Sequence, residues 1–243
     1  MSGFGAVPSL HARHAMLPAS FITVIQLRLR LPLTLLAGIT RCTCGAPVNV
    51  YGDHLLSCSS MQTHRTPWHD LIQHVASSMS SHARFNVSHD SRRSRASSLA
   101  YSPNWCPDFT LIHGSNSGFH TIVDVTTTST VKATTLAAAA RIPFSASVDA
   151  AASKHQKYGN VHPHVLLPFV VEHAGALGKD AMKHFQHCRK IVSNQLSVSD
   201  EDASTWSSKG FTNYYLCGLS MANLKGRGHF FHTASNVLRS AAN

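Results

Sequence analysis

The sequence predicts a mixed α/β fold in which a small central sheet is flanked by helices. Two β-rich runs, 109–112 and 119–128, enclose Gly114-Ser-Asn-Ser-Gly118, which has the composition of a hairpin loop. Val165–Val171 is a short continuous apolar run suited to a buried strand. Helical periodicity fills the intervals, and the order helix, hairpin, helix, strand, helix is that of a mixed sheet with helical cover.

Taken in order, residues 1–19 read as an irregular lead and 20–37 as an apolar helix broken at Pro32. A compact Cys/His segment occupies 42–58. Trp68, Leu71, Ile72, Val75 and Met79 recur at helical spacing, so a helix is expected over 66–82, beginning near Pro67. The Ser/Arg-rich stretch 88–98 follows, and its Arg92, Arg93 and Arg95 suit either contact with phosphate or a solvated linker. Beyond the hairpin come an Ala-rich helix at 133–141 and another at 147–158 that stops at Gly159. A long helix is expected at 176–196. A final amphipathic segment at 203–224 carries Trp206, Phe211, Tyr214, Tyr215 and Leu219. The chain thus divides into a helical lead (1–40), a Cys/His knuckle (41–65), an α/β core (66–200) and a C-terminal helical segment (201–243).

At 243 residues the chain buries enough surface to need no disulfide framework, despite its 6 Cys. It has 21 Lys+Arg against 11 Asp+Glu, a formal net charge of +10 that favours a polyanionic partner, nucleic acid before an anionic membrane surface. Charged residues are only 13%, so each acid is informative. Arg28 and Arg30 interrupt the apolar stretch 21–40, so no transmembrane span is expected. The first 52 residues lack Asp and Glu and carry Arg13, Arg28, Arg30 and Arg41, an outward likeness to a mitochondrial presequence. Leu27-Arg-Leu-Arg-Leu-Pro-Leu33 runs almost directly into the cysteines, however, and reads as structural.

Cys42, Cys44, His54 and Cys58 offer three thiolates and an imidazole within 17 positions. That set completes a tetrahedral Zn²⁺ shell with no open position, the arrangement of a structural site. The alternative is a group of unrelated free thiols. Gly45 and Gly52 suit the tight backbone path, and Asp53 is a candidate to support a zinc ligand. Cys106, Cys188 and Cys217 have no such company and read as core or incidental residues.

If the hairpin is symmetric about Asn116, residues whose numbers sum to 232 face each other, and Asp108 lies opposite Asp124. Their Cβ atoms would then be about 5 Å apart on one face, with Phe109, Leu111, Val123 and Val125 buried on the other. Two carboxylates that close retain a proton or share a divalent cation, and Mg²⁺ suits oxygen ligands beside a phosphate. The alternative is that they merely end strands. Phosphodiester hydrolysis also calls for a cation near the developing charge. Lys154, in a stripe with Ala151 and Tyr158, leans toward the sheet, whereas Lys157 projects further toward solvent. Glu172, ending the buried strand, is a candidate third ligand. Most of the 18 His read as surface polar residues, with His54 alone assigned.

The order Cys42-x-Cys44-Gly45, Gly52-Asp53-His54, Cys58, His69-Asp70, Pro107-Asp108, Val123-Asp124-Val125 and Lys154-x-x-Lys157-Tyr158 resembles the C-terminal region of non-LTR retrotransposon polyproteins. There a zinc-knuckle and a restriction-enzyme-like endonuclease of the PD-(D/E)xK superfamily follow the reverse transcriptase. The likeness extends over most of residues 20–230. It implies a restriction-endonuclease-like core behind an N-terminal zinc-knuckle, catalytic Mg²⁺ or Mn²⁺ held by Asp108 and Asp124, and a lysine that assists. It implies nicking of DNA, and hence a nuclear site of action. Thr126 stands where a D-x-K motif would place lysine, which passes that role to Lys154 or Lys157. Cys106 replaces a common Lys or Arg, and no reverse transcriptase domain is present. A catalytically silent, zinc-stabilised nucleic-acid-binding relic is therefore the alternative expectation.

Overall fold

The computed structural model describes residues 16–89, 107–112, 120–132, 135–158, 165–195 and 210–241. Its four strands are β1 (Asn86–Ser88), β2 (Phe109–Ile112), β3 (His120–Thr128) and β4 (Val165–Glu172), in the order β1-β2-β3-β4. The first three are antiparallel and β4 runs parallel to β3, so the sheet is mixed. Phe109 pairs with Val123 and Ile112 with His120, the register in which partner numbers sum to 232.

The described residues form six α-helices, of which the second, fourth and fifth pack on the sheet: α1 (Pro18–Arg28), α2 (Gln62–His82), the single turn α3 (Leu136–Ala139), α4 (Ser145–Tyr158), α5 (Lys179–Gln195) and α6 (Gly210–Ser240). Alternation along β3 and β4 decides which layer each residue meets. Phe109, Leu111, Val123, Val125, Phe169 and Val171 join the cluster formed with Trp68, Ile72 and Met79 of α2, Phe185 of α5 and Phe230 of α6. Ile122 and Leu166 point the other way and pack with Tyr158 of α4. Both faces of the central strands are thus covered, and the Asp124 face is not the open one that the hairpin alone suggests.

The helices begin and end where packing allows. In α2 the buried positions Trp68, Ile72, Ala76 and Met79 form one stripe, and the helix starts five residues before Pro67 because a 3₁₀ turn at Ser59–Met61 leads out of the Cys/His segment into it. The Ala-rich helix expected at 133–141 contracts to the four residues of α3, none of them buried. Short helices without an apolar partner are not self-supporting. By contrast α6 extends through Gly226 and Gly228 to Ser240. These glycines are where other elements approach closely: a Cβ on Gly226 would lie 2.2 Å from the Trp68 ring, and one on Gly228 would lie 3.0 Å from Ser20 of α1. The lead, the knuckle, the sheet and α6 all contribute to one continuous cluster, from Leu33 and Cys42 to Leu238. No described helix is long and apolar enough to cross a membrane.

Candidate functional site

Cys42, Cys44, His54 and Cys58 come together so that one ligand atom from each lies within 4.8 Å of all the others. Cys44 Sγ is 3.1 Å from His54 Nε2 and 3.5 Å from Cys58 Sγ, which is 3.7 Å from Cys42 Sγ. The donor set and the spacing fit a tetrahedral Zn²⁺ site. A tight turn positions the first pair, with the Cys42 amide donating to Ala46 O and the Gly45 amide to Cys42 O, both at 2.8 Å. Burial pushes the Cys42 thiol up, but the Cys44 amide and hydrogen bonds from Ser60 and the neighbouring thiols outweigh it and bring the group to about 6. Among the described residues this is the one place where three or more His, Cys, Asp or Glu side chains gather as metal ligands.

Gly52, at φ +68°, brings the knuckle against the core, since a Cβ there would overlap Phe231 of α6 at 2.5 Å. Asp53 does not support a zinc ligand. Its carboxylate takes both Nη atoms of Arg30 and, at 2.8 Å, the Asn49 amide, so it ties the lead to the knuckle.

The second constellation lies where β2 begins. Asp124, 4% exposed, directs its carboxylate into the α4 layer. Tyr158 Oη donates to Oδ1 at 2.8 Å, and Lys154 Nζ lies 2.5 Å from Oδ2. Lys154 and Tyr158 are four apart on α4, so one face of the helix presents both. Lys157 points to solvent, its Nζ over the Tyr158 ring at 4.9 Å.

Asp108 is one position short of β2, and its backbone amide still donates to Val123 O at 3.0 Å. Its carboxylate does not stand beside that of Asp124 on one face. Instead Oδ2 accepts the Val125 amide at 2.6 Å and lies 3.1 Å from His69 Nε2 of α2. The carboxylate thereby continues the ladder past the end of the strand, and an acid that has an amide to accept turns toward it. The two acids adjoin through the Asp124–Val125 peptide, yet each meets a cation from a different layer.

Sequence reasoning left His69 without a task. Its Nε2 approaches Asp108 Oδ2 and, at 3.2 Å, Val125 O, while Nδ1 is 3.2 Å from Asp70 Oδ1. Both ring nitrogens face acceptors, which calls for imidazolium. Burial pushes the group down, but Asp108 and then Asp70 more than offset this and hold it at about 9. Gln73, one turn on, donates to Asp108 O at 2.8 Å. A His at i and a Gln at i+4 on the helix facing the hairpin was the available signal.

Glu172 is not a third ligand. In the parallel register Asp124 pairs with Pro168 and Thr128 with Glu172, so Glu172 lies four rungs, about 13 Å, along the sheet. Its Oε1 accepts the Ser147 amide at 3.2 Å in the first turn of α4, where a carboxylate meets the positive end of the helix. Arg92, Arg93 and Arg95 lie outside the described residues. A cavity of about 320 Å³ between α2 and α6, lined in part by Leu71, Val75, Tyr214 and Met221, takes no side chain from either constellation.

No protein-family model matches this chain, and no curated protein does.

Proposed function

We propose that the protein is a metal-dependent DNA endonuclease of the PD-(D/E)xK type, with a structural zinc-knuckle, that nicks nuclear target DNA. The observation that carries this reading is the Asp124 carboxylate at the sheet's midpoint, held between Lys154 and Tyr158 of α4, with Asp108 one peptide away at the start of β2. In this reading Asp108 swings from His69 and the Val125 amide to join Asp124, and the two carboxylates would hold Mg²⁺ or Mn²⁺, which would supply Lewis-acid polarisation of the scissile phosphate. Lys154 then turns from Asp124 toward the developing negative charge and orients the attacking water, and Tyr158 keeps the Asp124 carboxylate in place. Lys157, stacked outward, meets the phosphate backbone. The +10 net charge draws the polyanion to the site.

Supercoiled plasmid incubated with Mg²⁺ or Mn²⁺ tests the proposal. Open-circle product is expected from wild type, and a drop of at least about a hundredfold from Asp124→Ala or Asp108→Ala, since charge-stabilising groups contribute on that scale. Equal activity in wild type and both variants overturns it.

A second reading is favoured by one specific feature: each carboxylate is already neutralised by a protein cation, Asp124 by Lys154 and Asp108 by His69. On this reading the chain is a nucleic-acid-binding protein without catalysis. Salt-sensitive DNA or RNA binding with no metal-dependent cleavage selects it.

A further inference from the structure

Just past the end of β4, basic side chains from four parts of the chain gather without a carboxylate partner among the described residues. His173 is 4% exposed and its ring lies 4.6 Å from that of Trp68. Its backbone is fully engaged: the amide donates to Thr128 O at 2.8 Å, and the carbonyl accepts Arg227 Nη1 at 2.7 Å and Asn223 Nδ2 at 3.1 Å. Its side chain is not, because neither ring nitrogen has a partner. Arg227, on α6 and 7% exposed, likewise leaves its buried Nε without an acceptor. Arg65, from the first turns of α2, and Lys132, from the turn after β3, are half-buried and close enough to act electrostatically on His173 and on each other.

A buried cation is ordinarily paired or hydrogen-bonded throughout. The described acids are committed elsewhere. Asp53 meets Arg30, Asp70 and Asp108 meet His69, Asp124 meets Lys154, and Asp180 meets Lys183. Glu172 is next to His173 in sequence, but strand alternation turns its carboxylate to α4, and Asp149 lies on the exposed side of α4.

We propose that His173, Arg227, Arg65 and Lys132 form an oxyanion-binding site of the phosphate class. The His173 ring and Arg227 Nε form its floor, and Arg65 and Lys132 its mouth. Phosphate fits better than a carboxylate because its several acceptor oxygens can take Arg227 Nε, the Arg65 and Lys132 donors and the one N–H of a neutral His173 ring, in a set that carries the charges of Arg65, Lys132 and Arg227. The site is separate from the carboxylates of β2 and β3, and it does not depend on whether the protein cuts DNA. A backbone phosphate of a bound nucleic acid and free inorganic phosphate present the same chemistry.

The full-length protein, melted in potassium phosphate and in sodium chloride of equal ionic strength, tests the site. Specific occupancy raises the midpoint by about 5 °C at a hundredfold excess over Kd. Lys132→Ala, at a half-buried turn position and checked for native circular dichroism, is expected to weaken phosphate binding at least tenfold by titration calorimetry. Arg227→Met, checked for native circular dichroism, is expected to abolish it. Binding of a short DNA duplex without divalent metal then separates the sources. Weaker DNA binding by Lys132→Ala, with a salt slope reduced by about one, assigns the site to a backbone phosphate. Unchanged DNA binding with lost phosphate binding assigns it to the free ion. No phosphate-specific stabilisation of wild type, or full phosphate affinity in a folded Lys132→Ala protein, overturns the proposal.

Discussion

Lys154 Nζ lies 2.5 Å from Asp124 Oδ2, and this ion pair joins α4 to the middle of the sheet. Asp124 is 4% exposed, so its charge is largely withdrawn from water and the lysine is what makes that tolerable. Lys154→Met removes the cation and keeps the aliphatic stem. We expect a loss of about 3 kcal/mol in urea unfolding, the low end for breaking a buried pair because the Lys154 side chain retains 22% exposure. A loss below about 0.5 kcal/mol, the scale of a surface pair, would show that the pair contributes only as one.

The His69 imidazole gives stability a defined pH window. Its folded value, about 9, lies above the ordinary imidazole value of about 6.5. The protonated form is therefore favoured by folding, and the contribution is complete below pH 6.5 and lost as pH rises through about 9. The shift corresponds to about 3 kcal/mol. In metal-free buffer the stability difference between wild type and His69→Gln should be greatest near pH 6 and largely gone by pH 10. A difference independent of pH contradicts the assignment.

The knuckle should hold one Zn²⁺ per chain. Cys58→Ser or strong chelation is expected to remove it, as read by metal analysis, and to lower the thermal midpoint of the whole domain, because metal-binding free energy is folding free energy in such sites. Gly52 seats the knuckle against Phe231, so near-ultraviolet circular dichroism from the core aromatics should change as well. Zinc content unaffected by Cys58→Ser would refute the site.

Glu172→Ala isolates the role of the buried acid. Loss of the acceptor for the Ser147 amide should cost about 1 kcal/mol, the usual value of a helix cap. Any nicking activity should survive, because the residue is four rungs from Asp124. A folded Glu172→Ala protein that has lost activity would restore it as a ligand.

Gly226→Ala sets two effects against each other. Alanine in a helix interior gains about 1 kcal/mol over glycine. Here the new Cβ would lie 2.2 Å from the fully buried Trp68 ring, and overpacking of that kind costs about 3 kcal/mol. The clash should win, with a net loss of about 2 kcal/mol by chemical denaturation. A neutral or stabilised variant would mean that α6 can shift away from α2.

The sequence by itself picked out the four side chains, Cys42, Cys44, His54 and Cys58, that come together as a set able to hold a metal ion, because such donors in two tight pairs have few other uses. It determined the hairpin register, because loop composition and apolar alternation agree on one pairing. It also distinguished Lys154 from Lys157 by helical phase. The three-residue strand β1 is too short to leave a periodic signal, and α6 runs past the expected end at 224 through Gly226 and Gly228, poor helix formers whose place is explained only by the close approach of Trp68 and α1. Only the tertiary structure decided that Asp108 turns to Val125 and His69, that Glu172 anchors α4, and that His173 and Arg227 meet in a buried basic cluster. Register fixes which backbones are opposed. Where a carboxylate finally points depends on which amide or cation from another layer comes within reach, and that follows from packing between elements distant in sequence.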